Sequence, residues 1–202
     1  MSRSSTWLFT LLVLLIPFSV YGVVKWYESR YQRLPVLAPA DARVAAFTLQ
    51  NQQGARVSGA SWKGRIVVAN FFFTSCPVVC PKMMYGMQRV QTYGKAEGLQ
   101  LASFTVDPER DSAATLAGYA ERRNIRGAQW DLLTGDKKTI YSLARHAFRL
   151  TVAEGDGGPT DFIHSEQLVL IDRSGRIRGY YTGTEESEVN QLLRDLERLA
   201  AE

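Results

Sequence analysis

The chain contains two cysteines, Cys76 and Cys80, in the run Thr74-Ser75-Cys76-Pro77-Val78-Val79-Cys80-Pro81. Thiols this close can exchange disulfides or, as thiolates, bind a soft metal ion. A disulfide serving only stability is a poor fit, because so short a loop removes little entropy from the unfolded chain. The spacer is one residue longer than in the Cys-x-x-Cys redox motif, which leaves a wider loop able to bring both sulfurs onto one ion. Such a donor pair selects Cu(I) and also accepts zinc. A third ligand must come from elsewhere, and the chain has two histidines, His146 and His164. His146 lies in a helical pattern and reads as a solvated helix residue. His164 stands at a loop-to-strand junction, and its own pattern leaves ligand and bystander equally open.

Elements on both sides must position this loop. Ile66–Phe73 is a near-continuous run of β-branched and aromatic residues, as expected of a strand buried on both faces. A helical pattern from Pro81 to about Glu97 follows, and Leu99–Val106 reads as a second buried strand. The thiols therefore sit at the carboxyl end of a strand, where α/β folds place ligands. Pro81 suits the first helical position, so Cys80 is expected to cap the helix, whose N-terminus would lower a thiol pKa. Met83, Met84 and Met87 fall at helical spacing and read as core. Asp107 reads either as a strand-ending turn or as a border of the site.

Further along, Ser112–Asn124 and Asp136–Phe148 are helix-compatible, with a short strand at Trp130–Leu133 between them. Gln167–Asp172 and Ile177–Tyr181 form strands joined by the turn Arg173-Ser174-Gly175-Arg176, and a helix from about Glu185 to Ala200 closes the chain. A hairpin, Val44–Leu49 with Arg56–Ser58, precedes the core. These elements predict an α/β fold: a thioredoxin-like sandwich with a central mixed β-sheet flanked by helices.

Ahead of it, Trp7–Val24 is uncharged over eighteen residues, long enough as a helix to span roughly 27 Å at about 1.5 Å per residue. Trp7, Trp26 and Tyr27 lie where aromatic rings favour the membrane interface. One transmembrane helix is expected. A cleaved signal peptide is the competing reading, with a mediocre cleavage site at Val20-Tyr21-Gly22. The expected organisation is an anchor over 1–26, a proline-bearing stalk over 27–42 and a folded domain over 43–202.

The 202 residues, 46% hydrophobic and 22% charged, suffice for one globular core. The net charge of +4 comes from dispersed Lys and Arg, so nucleic acid is not an expected partner.

Taken together, the cysteine run with both prolines, the segment Asp107-Pro108-Glu109-Arg110-Asp111 and the late His164 resemble the Sco/SenC family of copper chaperones over roughly residues 43–200, and the anchor adds to the likeness. The resemblance implies copper as the bound ion, with Cys76, Cys80 and His164 as its ligands. It implies cytochrome c oxidase subunit II, or another copper donor or acceptor protein, as partner. It also implies a single-pass inner-membrane location with the domain in the periplasm or an equivalent extracytoplasmic space, and a binding protein in place of an enzyme. The chain departs from the family pattern at Val78-Val79 and at Ile163, where acidic residues are common. Asp161 reads as a solvent-exposed loop residue, with orientation of the His164 imidazole as the alternative. A thiol-disulfide oxidoreductase using Cys76 and Cys80 is the main alternative. A thiol peroxidase and a tethered interaction domain are further ones.

Overall fold

A computed structural model describes residues 3–31, 33–37, 47–94, 96–150 and 165–202, with the side chains of the first helix described at positions 7, 11 and 13–27. His164 and Asp161 lie outside the described residues, as does the start of the expected hairpin. The chain divides into two compact units, Met1–Leu34 and Pro35–Glu202.

The first unit is a helix, α1 (Arg3–Tyr31). Its described apolar side chains are exposed all round, Trp7, Phe18 and Val23 among them. Among the described residues no helix is long and apolar enough to cross a membrane.

The second unit is built on a seven-stranded mixed sheet. Its strands are β1 (Thr48–Asn51), β2 (Arg56–Ser58), β3 (Val67–Phe72), β4 (Gln100–Thr105), β5 (Trp130–Thr134), β6 (Gln167–Ile171) and β7 (Ile177–Thr182), arranged in the order β2-β1-β5-β4-β3-β6-β7. β3, β4 and β5 run parallel, which requires crossovers, and these are α2 (Val79–Tyr93) and α3 (Ala113–Arg122). β6 then adds antiparallel to β3 and forms a hairpin with β7. Every residue of β3 and β4 is buried, because both sheet faces are covered. This is the mixed sheet with flanking helices that the sequence predicts.

One face carries Val67, Ala69 and Phe71 of β3 with Ala102 and Phe104 of β4. They pack against Ile140 and Tyr141 of α4 (Lys137–Ser142) and against Phe148. The expected single helix from Asp136 to Phe148 is two pieces, since a π-helical turn over Leu143–Ala147 follows α4. The other face packs against α2. There Met83, Met84 and Met87 are fully buried, as expected of core, and the Met84 thioether accepts a hydrogen bond from Asn70 at 3.7 Å. Against α2 lies α5 (Glu186–Ala200), whose Val189, Leu192, Leu196 and Leu199 form one buried stripe.

The segment ahead of the domain is tied to β7. Leu37 N donates to Ile177 O at 2.9 Å, and Arg178 Nε donates to Pro35 O at 3.2 Å. Arg178, 4% exposed, also pairs with Asp172 at 3.2 Å and with Glu202 at 2.6 Å.

Candidate functional site

The strand carrying the thiols ends at Phe72, and the chain turns through Phe73–Val78 into α2. The turn is pinned at both ends. Near its start Thr74 donates to the carboxylate of Asp111, from its N–H at 3.0 Å and from its hydroxyl. Near its end the Cys76 sulfur accepts the N–H of Cys80 at 3.2 Å.

Here the structure corrects the expected cap. α2 begins at Val79, so Cys80 lies inside the first turn and Pro81 follows it as the third helical residue. Proline is tolerated there because the first four N–H groups of a helix have no intrahelical partner. Val78 occupies the N-cap position with no side-chain hydrogen bond of its own. The orphaned N–H of Cys80 is satisfied by the sulfur of Cys76, so the cap-like group is Cys76.

The two free thiols are consequently unequal. Cys76 is partly exposed. Burial works against its ionisation, but the Cys80 thiol and the backbone N–H groups of Cys80, Val78 and Val79 outweigh it and hold its pKa below the ordinary thiol value. Cys80 is 5% exposed. Burial foremost, then the hydrogen bond and negative charge of Cys76, push its pKa up to about 12. The helix start thus lowers one pKa of the pair, that of Cys76, and not that of Cys80.

Both sulfurs border one cavity of about 330 Å³. Its lining includes Phe71, Phe73, Val79 and Val106, together with Ser165 and Glu166. Glu166 is held in turn, since its carbonyl accepts from Gly183 N at 2.7 Å and its carboxylate from the Thr184 hydroxyl at 2.6 Å. Two adjacent sulfurs at an apolar cavity form a soft donor set of the kind that suits copper. Among the described residues no cluster of three or more His, Cys, Asp or Glu side chains could hold a metal ion.

His146 is exposed on the π-helical turn, in keeping with its solvated reading. Asp107 serves a turn: its N–H donates to the Thr105 hydroxyl at 3.1 Å and its carbonyl accepts from Arg110 and Asp111. Sequence reasoning did not single out Thr74, the carboxylate of Asp111 or Glu166. The available signals were the position of Thr74 beside the cysteine run and that of Asp111 at the end of the Asp107–Asp111 segment.

The family model described as SCO1/SenC matches residues 37–201. A SCO1 protein homolog of Bacillus subtilis is 33% identical over 161 residues, covering 78% of this chain and 83% of its own length. The solved structure of BsSco, described as a member of the Sco family of cytochrome c oxidase assembly proteins with a disulfide switch, superposes with a TM-score of 0.67 at 29% identity, over 81% of this chain and 96% of that one. ScoI of Bradyrhizobium japonicum, solved with copper bound, shares the fold with a TM-score of 0.55 at 24% identity, over 77% of this chain and 98% of that one.

Proposed function

The chain belongs to the SCO1/SenC family, and on that premise we propose that it handles copper for the assembly of cytochrome c oxidase. Cys76 and Cys80 as thiolates and His164 as a neutral imidazole hold one copper ion, which passes to the dinuclear copper site of oxidase subunit II. One observation carries the reading: two unequal cysteines line a mainly apolar cavity that is also lined by Ser165, the residue that follows His164 in the chain.

Copper is the cargo. Both thiols must lose their protons to bind it, Cys80 at the greater cost, so loading tightens as pH rises. Delivery runs by ligand exchange, in which an acceptor sulfur or nitrogen bonds to the ion as one of the three ligands leaves. Titrating copper into the reduced protein and into Cys76→Ala, Cys80→Ala and His164→Ala variants tests the ligand set. Unchanged tight binding in all three variants would overturn it.

The helix α1 serves as the membrane anchor, with the folded domain on the extracytoplasmic side. The described part of α1 by itself falls short of a span, but the full uncharged run Trp7–Val24 and the exposure of the described apolar side chains support this. Release of the protein from membranes by alkaline carbonate would argue against it.

The inequality of the thiols favours a second activity at the same site. Cys76 thiolate attacks a partner's disulfide, one partner sulfur leaves as thiolate, and a mixed disulfide forms. Cys80, losing its proton, then attacks Cys76, which frees the second partner thiol and leaves a Cys76–Cys80 disulfide. Two electrons pass to the partner. In Cys80→Ser the mixed disulfide should persist and be recoverable on a non-reducing gel; its absence would remove this reading.

A further inference from the structure

Asp111 lies thirty-five positions beyond Cys76, yet it is 1% exposed and its carboxylate is turned toward the thiol loop. Oδ2 accepts from Thr74 N at 3.0 Å and from the Thr105 hydroxyl at 2.5 Å, while Oδ1 accepts from the Thr74 hydroxyl. Burying a carboxylate is costly unless its oxygens are well supplied with donors. The donors here come from two places, the end of β4 at Thr105 and the turn just past β3 at Thr74. The carboxylate therefore bridges the carboxyl ends of two neighbouring parallel strands. Thr74, past the last residue of β3, places both its N–H and its hydroxyl on this one group. Two residues later the Cys76 sulfur meets the N–H of Cys80. The stretch Thr74-Ser75-Cys76 is thus held between a fixed carboxylate at one end and the first turn of α2 at the other.

We propose that Asp111 is a positioning residue for the thiol pair: acting through Thr74, it holds Cys76 against the first turn of α2 and so makes Cys76, in preference to Cys80, the sulfur that meets an incoming reactant. The inference deepens the function proposed above and rests on the same site, but its test needs no metal. A merely structural tie would contribute stability without changing which sulfur reacts.

The test uses the reduced full-length chain in detergent, treated with limiting iodoacetamide at neutral pH, with the initial rates at Cys76 and Cys80 read by peptide mass spectrometry. In the wild type Cys76 reacts first. In Asp111→Asn, which exchanges an all-acceptor group for one acceptor and one donor, the Cys76-to-Cys80 rate ratio falls at least five-fold, toward the value in urea. Thr74→Val, which keeps the N–H but loses the hydroxyl, shifts it in the same direction by at least two-fold. Thr74→Ser keeps the wild-type ratio. Circular dichroism identifies the folded variants. A folded Asp111→Asn protein whose ratio drops less than five-fold overturns the proposal. Should Asp111→Asn fail to fold, Thr74→Val decides, and a change below two-fold overturns it. Failure of the wild type to bind copper would sink the ligand assignment and leave this experiment intact.

Discussion

Two buried carboxylates stand at opposite ends of β3, and they are satisfied in different ways. At the carboxyl end Asp111 is held by hydroxyl and amide donors from Thr74 and Thr105. At the amino end Asp172, following the residue that pairs with Val67, is held by Arg176 at 2.9 Å and by the buried Arg178 at 3.2 Å. The second arrangement is a clamp. Arg178 also reaches Glu202 and the carbonyl of Pro35, so one guanidinium gathers the hairpin, the last residue and the entering chain. Its fork of rigid donors suits that task. In the first arrangement the carboxylate has no guanidinium among its hydrogen-bond partners in the described residues, beside a loop that must meet other molecules. Charge pairing fastens one end of the sheet; oriented neutral donors shape the other.

The largest expected effect falls on the clamp. Arg178→Ala removes the shared partner of two carboxylates, and because Arg176 still holds Asp172 the cost should fall near the low end for a broken buried pair, about 3 kcal/mol. Urea denaturation should show that loss, while the alkylation ratio of the thiols stays at its wild-type value; a changed ratio would break the comparison. The pH dependence of stability comes next. Burial opposes the ionisation of Asp172, but the backbone N–H and side chain of Arg176, together with Ser174 N, hold its pKa below the ordinary carboxylate value. A depressed folded pKa contributes stability that is present above the unfolded value and is lost as pH falls through the folded one, so melting temperature should drop below about pH 4. Arg176→Ala should blunt that drop.

At the other end the effects are on reactivity. Cys76 should be alkylated at a lower pH than an ordinary thiol and Cys80 only toward strong alkali, as iodoacetamide rates measured across pH would show. In Cys80→Ala the Cys76 profile should move to higher pH, because the Cys80 thiol is one of the donors that lower its pKa. The smallest effect is expected at the start of α3, where the Ser112 hydroxyl accepts Thr115 N at 3.2 Å. Ser112→Ala should cost about 1 kcal/mol in thermal or urea unfolding. An unchanged thiol ratio there would sharpen the comparison, showing that Asp111 is held by Thr74 and Thr105 independently of the helix it precedes.

Much of this was legible in the residue pattern. The run Ile66–Phe73 announced a strand buried on both faces, found at Val67–Phe72, and Arg173–Arg176 announced the turn between β6 and β7. The methionines of α2 read correctly as core for the same reason, their spacing. The start of α2 did not, because a proline marks the first turn of a helix without saying which position in it. That two-residue difference reversed the roles of the cysteines, placing Cys80 inside the helix and giving the cap-like role to Cys76. The break after Ser142 was hidden because α-helical and π-helical turns bury nearly the same residues over so short a stretch. The contact of Asp111 with Thr74 was out of reach for another reason: it depends on β3 and β4 being neighbours, and sheet order is not written in local periodicity.

That sheet order also constrains how the molecule comes together in time. β3, which leads into the thiols, lies between β4 and β6, and its Val67 pairs with Ile171 near the far end of the chain. Contacts across so long a loop are slow to form, because the entropy of closure must be met before the pairing returns any stability. Synthesis proceeds from the N-terminus, so Cys76 and Cys80 emerge long before the strand that completes their shelter. For that interval they are two nearby thiols on an unfinished sheet, open to whatever oxidant or metal surrounds them.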